Sequence, residues 1–344
     1  MASYRLNVDL FKTIAIGTFV VAGAAAISYS LVFKNQNLAM SLVFFLGYAG
    51  IIFEECLAFN KSGIALLMAV TLWTIHSLGA ASPDVAVEQL SKSSKEVGEI
   101  IYFLLGAMTI VKIVDAHQGL KLVTDLITTR NPRLLLWVVG GITFVLSSVL
   151  DNLTSTILMV SLLQKLALDT EQRKSLGAIV IIAANAGGAW SPIGDVTTTM
   201  LWMDGRISTL KTMQVLFLPS VISLAVPLAL MSSLRILGKG TKEREPLLTS
   251  QQMALLTLEE MAPQGKLVFG VGIGTLLFVP IFKSLTRLPP YLGMLFGLGV
   301  LWILTDAIHC DDLQRQKLKV PQALPRVDTQ GILFFLGILL SVGR

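Results

Sequence analysis

The chain alternates long apolar runs with short polar breaks, and a bilayer crossing needs about 20 consecutive apolar residues. Runs of that kind occupy residues 10–33, 38–59, 63–81, 100–116, 213–234, 267–285 and 291–308, and another begins at 331–342. Each is read as a spanning helix. Residues 82–99, with Lys92, Lys95 and Glu96, are read as a loop or surface helix. Residues 119–130 are read as an amphipathic segment at the interface. Residues 238–265 form a polar linker, and 309–329 a charged loop.

Two stretches break this rhythm. Residues 134–150 and 153–168 are each short for a full crossing at about 1.5 Å per residue. Only Asp151 and Asn152 separate them, so a re-entrant hairpin over 134–168 with a polar tip is expected. The competing reading is one long kinked helix, but neither Pro nor Gly marks the tip. Residues 175–186 are then a half-span, which Gly187, Gly188, Pro192 and Gly194 interrupt before apolar sequence resumes at 196–202. Glycine admits backbone that other residues avoid, and proline removes a helix donor. The pattern predicts a discontinuous helix over 175–202 with an unwound centre.

Composition settles the class. Mean hydropathy is +0.72, and 14% of residues are charged against about 25% in soluble domains. The fold class is therefore all-α, a polytopic membrane protein. The net charge of +5 comes from Lys and Arg clustered in short loops, as topology signals are. No aromatic interleaving marks a nucleic-acid surface. Cys56 and Cys310 lie far apart and read as membrane-buried thiols, not as a metal site or disulfide framework.

Candidate chemistry sits at the two interruptions. An ionised Asp near the bilayer centre costs about 2.5–3.5 kcal/mol, so Asp151 and Asp195 are functional candidates by default. Asn152, Thr154, Asn185, Ser191 and Thr197 have two readings that stay open: ligands, or partners that pin the hairpin. Glu54, Glu55, Lys112 and Asp115 lie near span ends, where snorkelling explains them. His76 and His117 read as interfacial or loop histidines, and Trp190 and Trp202 as packing residues.

The chain also echoes itself. IYFLLGAM at 101–108 resembles ILFFLGIL at 332–339, which sets Gly106 against Gly337. GIALLMAVTLWTIH from Gly63 resembles GMLFGLGVLWILTDAIH from Gly293 at nearly the same offset. Internal repeats with discontinuous helices are a signature of secondary transporters. The repeat divides the chain into an extra N-terminal segment (1–35), a first repeat (36–237), the linker (238–265) and an incomplete second repeat (266–344). On that reading the counterpart of the Asp151 tip falls past Arg344. The expectation follows that this chain alone does not exchange ions, although longer relatives do.

LLGAMTIVKIVDAHQG, SSVLDNLTSTI and ANAGGAWSPIGDVTTTMLW resemble the NhaD-type sodium/proton antiporters of the ion transporter superfamily. LPPYLGMLFGLGVLWILTDAIH is similar to the plant and algal branch, whose members reside in the chloroplast envelope. The resemblance implies exchange of Na⁺, sometimes Li⁺, for H⁺ by a multi-pass transporter, not an enzyme. It implies no cofactor, with Na⁺ and H⁺ as transported ions. Membrane lipid is the expected partner, nucleic acid is not, and a homodimer is left open. The site it implies holds Asp151, Asn152, Asn185 and Asp195 around Na⁺, with Thr154, Ser191 and Thr197 as further oxygen ligands. Lys112 stands where the family usually has Glu, and a second Asp-Asn motif downstream is missing.

Na⁺ is a hard cation and takes oxygen ligands by the logic of Ca²⁺ and Mg²⁺. A buried carboxylate can hold either a proton or Na⁺, which makes competition at one site. Three rival readings compete with this one. An intramembrane aspartyl protease needs Gly-x-Gly-Asp, and here the run is Pro192-Ile193-Gly194-Asp195. An anion or carboxylate symporter of the same superfamily would meet repulsion from Asp151. A third reading is a non-transporting fragment that associates with full-length partners.

Overall fold

The computed structural model describes residues 35–54, 59–80, 82–119, 131–165, 170–233, 264–309 and 320–343, with isolated positions near the N-terminus and at 122. The expected span at 10–33, most of the interfacial segment 119–130, the linker up to residue 263 and residues 310–319 lie outside the described residues. So do Glu55, Cys56 and Cys310. In chain order the helices are α1 (Gln36–Ile52), α2 (Lys61–Gly79), α3 (Pro83–Ala116), α4 (Pro132–Ser147), α5 (Asn152–Lys165) and α6 (Thr170–Ala189). Then come α7 (Val196–Met203), α8 (Thr209–Ser233), α9 (Gly265–Thr286), α10 (Pro290–Ile308), the short α11 (Val320–Ala323) and α12 (Thr329–Val342). Among the described residues there is no strand.

Local chemistry sets the helix starts. The side-chain oxygens of Asn60 and Asn131 accept from the backbone N–H of Ser62 (2.9 Å) and Arg133 (3.0 Å), and Asp328 accepts from Gly331 (2.9 Å). Such caps satisfy donors that a helix start leaves without partners. Among the described residues five helices, α2, α3, α8, α9 and α10, are long and apolar enough to cross a membrane. Residues 320–326 and α12 together pass the same test but bend by 61°. The chain is a polytopic all-α membrane protein.

Two boundaries differ from the apolar pattern. The run at 38–59 gives a helix that stops at Ile52, and Glu54 just beyond it is tied to the start of α2. Its carboxylate accepts from the Lys61 backbone N–H at 3.3 Å and pairs with the Lys61 ammonium at 3.4 Å. Polar residues 83–99 are continuous with the span that follows, so α3 is one helix of 34 residues. Hydropathy marks where a helix can meet lipid, not where it begins. Glu, Lys and Gln are good helix formers and carry α3 on through its polar half.

The chain divides into two compact units. The first holds residues 1–105 and 328–344. In it α1 and α12 pack on α2. Ala39, Val43, Met68, Leu72 and Ile75 form its α1–α2 core. Gly337 lets α12 touch the α2 backbone, since a Cβ there would lie 2.6 Å from the Ala65 carbonyl carbon. Trp73 Nε1 and Ser62 Oγ donate to the carbonyls of Leu340 (2.9 Å) and Gln330 (2.8 Å).

The second unit holds residues 106–327. Helices α4, α5 and α8 pack on α6, and α9 packs on α10. Gly106 of α3 faces Met294 of α10, where a Cβ would lie 2.7 Å from the Met294 Cγ. The sequence repeat aligns Gly106 with Gly337, and it brings Met294 within one position of Ala65. Each unit thus contains a glycine seated closely against a neighbouring helix.

Candidate ion site

The hairpin expected over 134–168 corresponds to α4 and α5, two helices separated by residues 148–151. Asp151 caps α5. Its Oδ1 accepts from the Thr154 backbone N–H at 2.8 Å, and its Oδ2 accepts from Thr154 Oγ1 at 2.5 Å. This is the N-cap geometry for Asp with a hydroxyl residue three positions on. Thr154 is therefore a partner of Asp151 in this state. Thr156 Oγ1 donates to the Asn152 carbonyl at 2.7 Å.

The discontinuous helix expected over 175–202 corresponds to α6, a break at 190–195 and α7. Glycines let the end of α6 and the break seat against each other and against the end of α4. A Cβ at Gly187 would lie 2.2 Å from the Phe144 carbonyl oxygen, and one at Gly194 would lie 2.4 Å from that of Ser147. A Cβ at Gly188 would lie 2.4 Å from the Gly194 carbonyl oxygen. Ser147 Oγ donates to the Ala184 carbonyl at 2.5 Å, which ties α4 to α6. Within the break, Ser191 Oγ accepts from the Ile193 N–H at 3.3 Å, so this buried hydroxyl is used in the local turn. Trp190 packs between Phe144 (6.3 Å between ring centres, stacked) and Phe217 (5.1 Å, edge-on).

The tip and the break meet through amide and carboxylate groups. Asn152 Nδ2 donates to Asn185 Oδ1 at 3.1 Å and to Asp195 Oδ1 at 3.0 Å. Asn185 Nδ2 donates to the Ile181 carbonyl at 2.8 Å, which fixes its oxygen towards Asn152. Asp195 is the N-cap of α7, with extended backbone at φ −142°, and its Oδ2 accepts from Thr197 Oγ1. Of the seven site residues named from the sequence, four meet here: Asn152, Asn185, Asp195 and Thr197. Asp151 and Thr154 adjoin them at the tip, and Ser191 serves the break.

The convergence has a chemical meaning. Two oxygens, one of them a carboxylate, aim at one point about 3 Å away, and a partly positive amide hydrogen-bond donor fills it. A half-turn of the Asn152 amide about its terminal bond would put a third oxygen there instead. The set is all oxygen, as a hard alkali cation requires. Among the described residues no group of three His, Cys, Asp or Glu side chains forms a transition-metal cluster.

Other polar groups escaped the sequence reading. Ser155 Oγ, one turn into α5, is buried with no hydrogen-bond partner among the described residues. Lys283 of α9 reaches the end of α7. His117 is fully buried, and its Nε2 lies 3.0 Å from that of His309. His76, by contrast, sits at the surface against Gln89 Oε1 at 2.6 Å.

The family described as citrate transporter matches residues 48–343. Sodium/proton antiporter 1 of Arabidopsis thaliana is 65% identical over 342 residues, covering 99% of this chain and 58% of that protein. Sodium/proton antiporter 2 of the same plant is 62% identical over 304 residues, covering 88% and 70%. The Na(+)/H(+) antiporter NhaD of Vibrio cholerae is 30% identical over 302 residues, covering 86% and 60%. The chain thus spans 58–70% of the length of these relatives. With most of its length matched by the family, and with these relatives, the chain belongs to the citrate-transporter family on its NhaD-type sodium/proton antiporter branch.

Proposed function

We propose that this chain carries a Na⁺ site of a Na⁺/H⁺ antiporter, formed by Asp195, Asn185 and Asn152 with Asp151 beside them. The observation that carries the reading is the position of Asn152 Nδ2, held between Asn185 Oδ1 and Asp195 Oδ1 at 3.1 and 3.0 Å. In the structure the two N–H bonds of the Asn152 amide satisfy both oxygens. When Na⁺ enters, the amide turns and contributes Oδ1, and Asp195 must be ionised. When a proton binds Asp195 instead, the carboxyl is neutral and Na⁺ loses its only formal charge partner among these three residues. One carboxylate thus serves two cations in turn. Coupled exchange follows if the loaded forms reorient and the empty, charged form does not.

An anion or carboxylate substrate, as in the family's description, fits these residues less well. Asp151 and Asp195 repel it, and both N–H bonds of the Asn152 amide are already used. The reading is of a transporter, not an enzyme, with Li⁺ as a second cation. A chloroplast-envelope location and a homodimer accompany it, supported by the resemblance to the plant branch. Fluorescent fusion and native mass measurement test those two points.

The test of the site is equilibrium binding of ²²Na⁺ to the purified chain in detergent, across pH, with and without Asp195→Asn. Saturable binding that weakens as pH falls and disappears in Asp195→Asn is the expected result. Citrate binding that is indifferent to Na⁺ would overturn the reading.

A further inference from the structure

The helix that holds Asp195 is only eight residues long, and its far end has an unusual partner. The last carbonyls of a helix lack intrahelical partners, and together they form the negative end of its dipole. At α7 the Asp204, Gly205 and Arg206 N–H groups bond back to Met200 (2.9 Å), Trp202 (3.2 Å) and Leu201 (3.0 Å). Gly205 takes φ +73° to make this turn. The Trp202 carbonyl also accepts from the ammonium of Lys283, in the last turn of α9. The same ammonium lies 4.3 Å from the centre of the Trp202 ring. Trp202 itself is 1% exposed, and its Nε1 donates to Thr209 Oγ1 at 2.9 Å.

One cation therefore makes two contacts with one residue, a charge-assisted hydrogen bond and a cation–π contact. It complements the negative end of α7 while Asp195 complements the positive end. A helix of two turns has little packing of its own to fix its position along its axis. A displacement of about one residue's rise, 1.5 Å, at the Trp202 end would carry Asp195 out of hydrogen-bond reach of Asn152.

We infer that Lys283 is a positioning residue for the ion site, holding α7 so that Asp195 stays in register with Asn152 and Asn185. Lys283 touches neither ion nor ligand, and it acts through Trp202. Because it belongs to α9, beyond the linker, it also couples that helix to the half-helix bearing the carboxylate. The inference rests on the Na⁺ reading of the Asp195 site.

Two measurements on the purified chain separate the inference from that reading. Hydrogen–deuterium exchange of residues 196–203 reports the hold on α7, and ²²Na⁺ binding reports the site. Lys283→Met removes both contacts. It is expected to speed amide exchange across 196–203 and to weaken Na⁺ binding, each by about tenfold, the equivalent of one charge-assisted bond. Lys283→Gln keeps a hydrogen-bond donor without the charge and falls between. Lys283→Arg keeps charge, donor and ring contact, and restores most of both. Unchanged exchange at 196–203 in both Lys283→Met and Lys283→Gln overturns the inference, whatever Na⁺ does. Faster exchange with an unchanged Na⁺ midpoint also overturns it, since Lys283 is then a brace without effect on the site. A wild-type chain that binds no Na⁺ overturns the ion reading, and with it any positioning role for Lys283.

Discussion

Asp151 and Asp195 look alike in the sequence, each an acid in an apolar setting just before a short helix with a threonine close behind. In the structure they spend their oxygens differently. Both oxygens of Asp151 are used within four residues, by the backbone N–H and hydroxyl of Thr154 at 2.8 and 2.5 Å. Asp195 makes no side-chain cap bond to α7. One of its oxygens faces Thr197, and the other reaches across the break to Asn152 at 3.0 Å. A carboxylate satisfied by its own helix has to break a cap to bind a cation. One that is held by an amide able to turn has only to exchange partners. On the proposed Na⁺ reading, the difference gives Asp195 the direct role and leaves Asp151 to shape the tip and add charge nearby.

The largest expected effect tests that ranking. Asp195→Asn should abolish ²²Na⁺ binding while leaving the fold intact, because no side-chain cap bond of α7 is lost and removal of a charge from an apolar segment lowers the insertion cost. Asp151→Asn should keep the cap and weaken Na⁺ binding by less than about tenfold, as loss of a neighbouring charge does at high effective dielectric. Equal loss in both variants would break the comparison and make the two acids joint ligands. Next in size is Gly187→Ala. Its Cβ would meet the Phe144 carbonyl oxygen at 2.2 Å, and backbone cannot give way as a side chain can. The break must then lift off α4, at about 1–3 kcal/mol for an overpacked contact. Na⁺ affinity should fall with stability, since Asn152 and Asp195 sit on the two sides of that contact. An unfolding midpoint equal to wild type would show that the close approach is not required.

How much of this could be read beforehand depends on how local the cause is. The tip and the break were legible because polar residues, glycine and proline stand out against an apolar background. That Asn152 and Asp195 would meet was a reasonable expectation, but which atoms meet was not. The double use of Asp151 by Thr154 has a local signal, an Asp followed three positions later by Thr at a helix start, which the membrane cost of the charge overshadows. The extent of α3 was misjudged because hydropathy was used to find an end that helix propensity decides. Lys283 and the His117–His309 pair had no local signal. Each depends on a partner 81 or 192 positions away, and a Lys in a last helical turn or a His after one reads as surface.

A smaller effect separates capping from charge at the tip. Asp151→Ala removes both, and loss of an N-cap costs about 1 kcal/mol. Asp151→Asn removes only the charge and should cost little stability. Thermal unfolding of the two variants side by side gives the capping share directly. If Asp151→Ala is as stable as Asp151→Asn, the Thr154 bonds contribute nothing, and the contrast with Asp195 loses its basis.

The smallest effect is a pH dependence that must be known before any pH effect is assigned to Asp195. His117 follows the last residue of α3, and its Nδ1 lies 2.8 Å from the Ile113 carbonyl oxygen. A carbonyl only accepts, so Nδ1 carries the proton, and the neutral ring's Nε2 accepts from His309 Nε2–H at 3.0 Å. Burial lowers the His117 pKa below its ordinary 6.5, the Ile113 carbonyl opposes this, and His309 lowers it further by charge repulsion. The unfolded chain therefore binds a proton, below pH 6.5, that the folded chain declines. With more protons on the unfolded state, stability rises with pH. The contribution is complete above 6.5 and is lost as pH falls below that value. His117→Gln has no such proton to take up, so its unfolding midpoint should change less than that of wild type between about pH 7.5 and pH 5.5. Na⁺ binding measured in that background should still weaken with acid, because Asp195 keeps its own competition between proton and Na⁺. If the acid sensitivity of Na⁺ binding vanishes with His117, the proton that opposes Na⁺ is not on Asp195, and the distinction between the two carboxylates has to be drawn on charge alone.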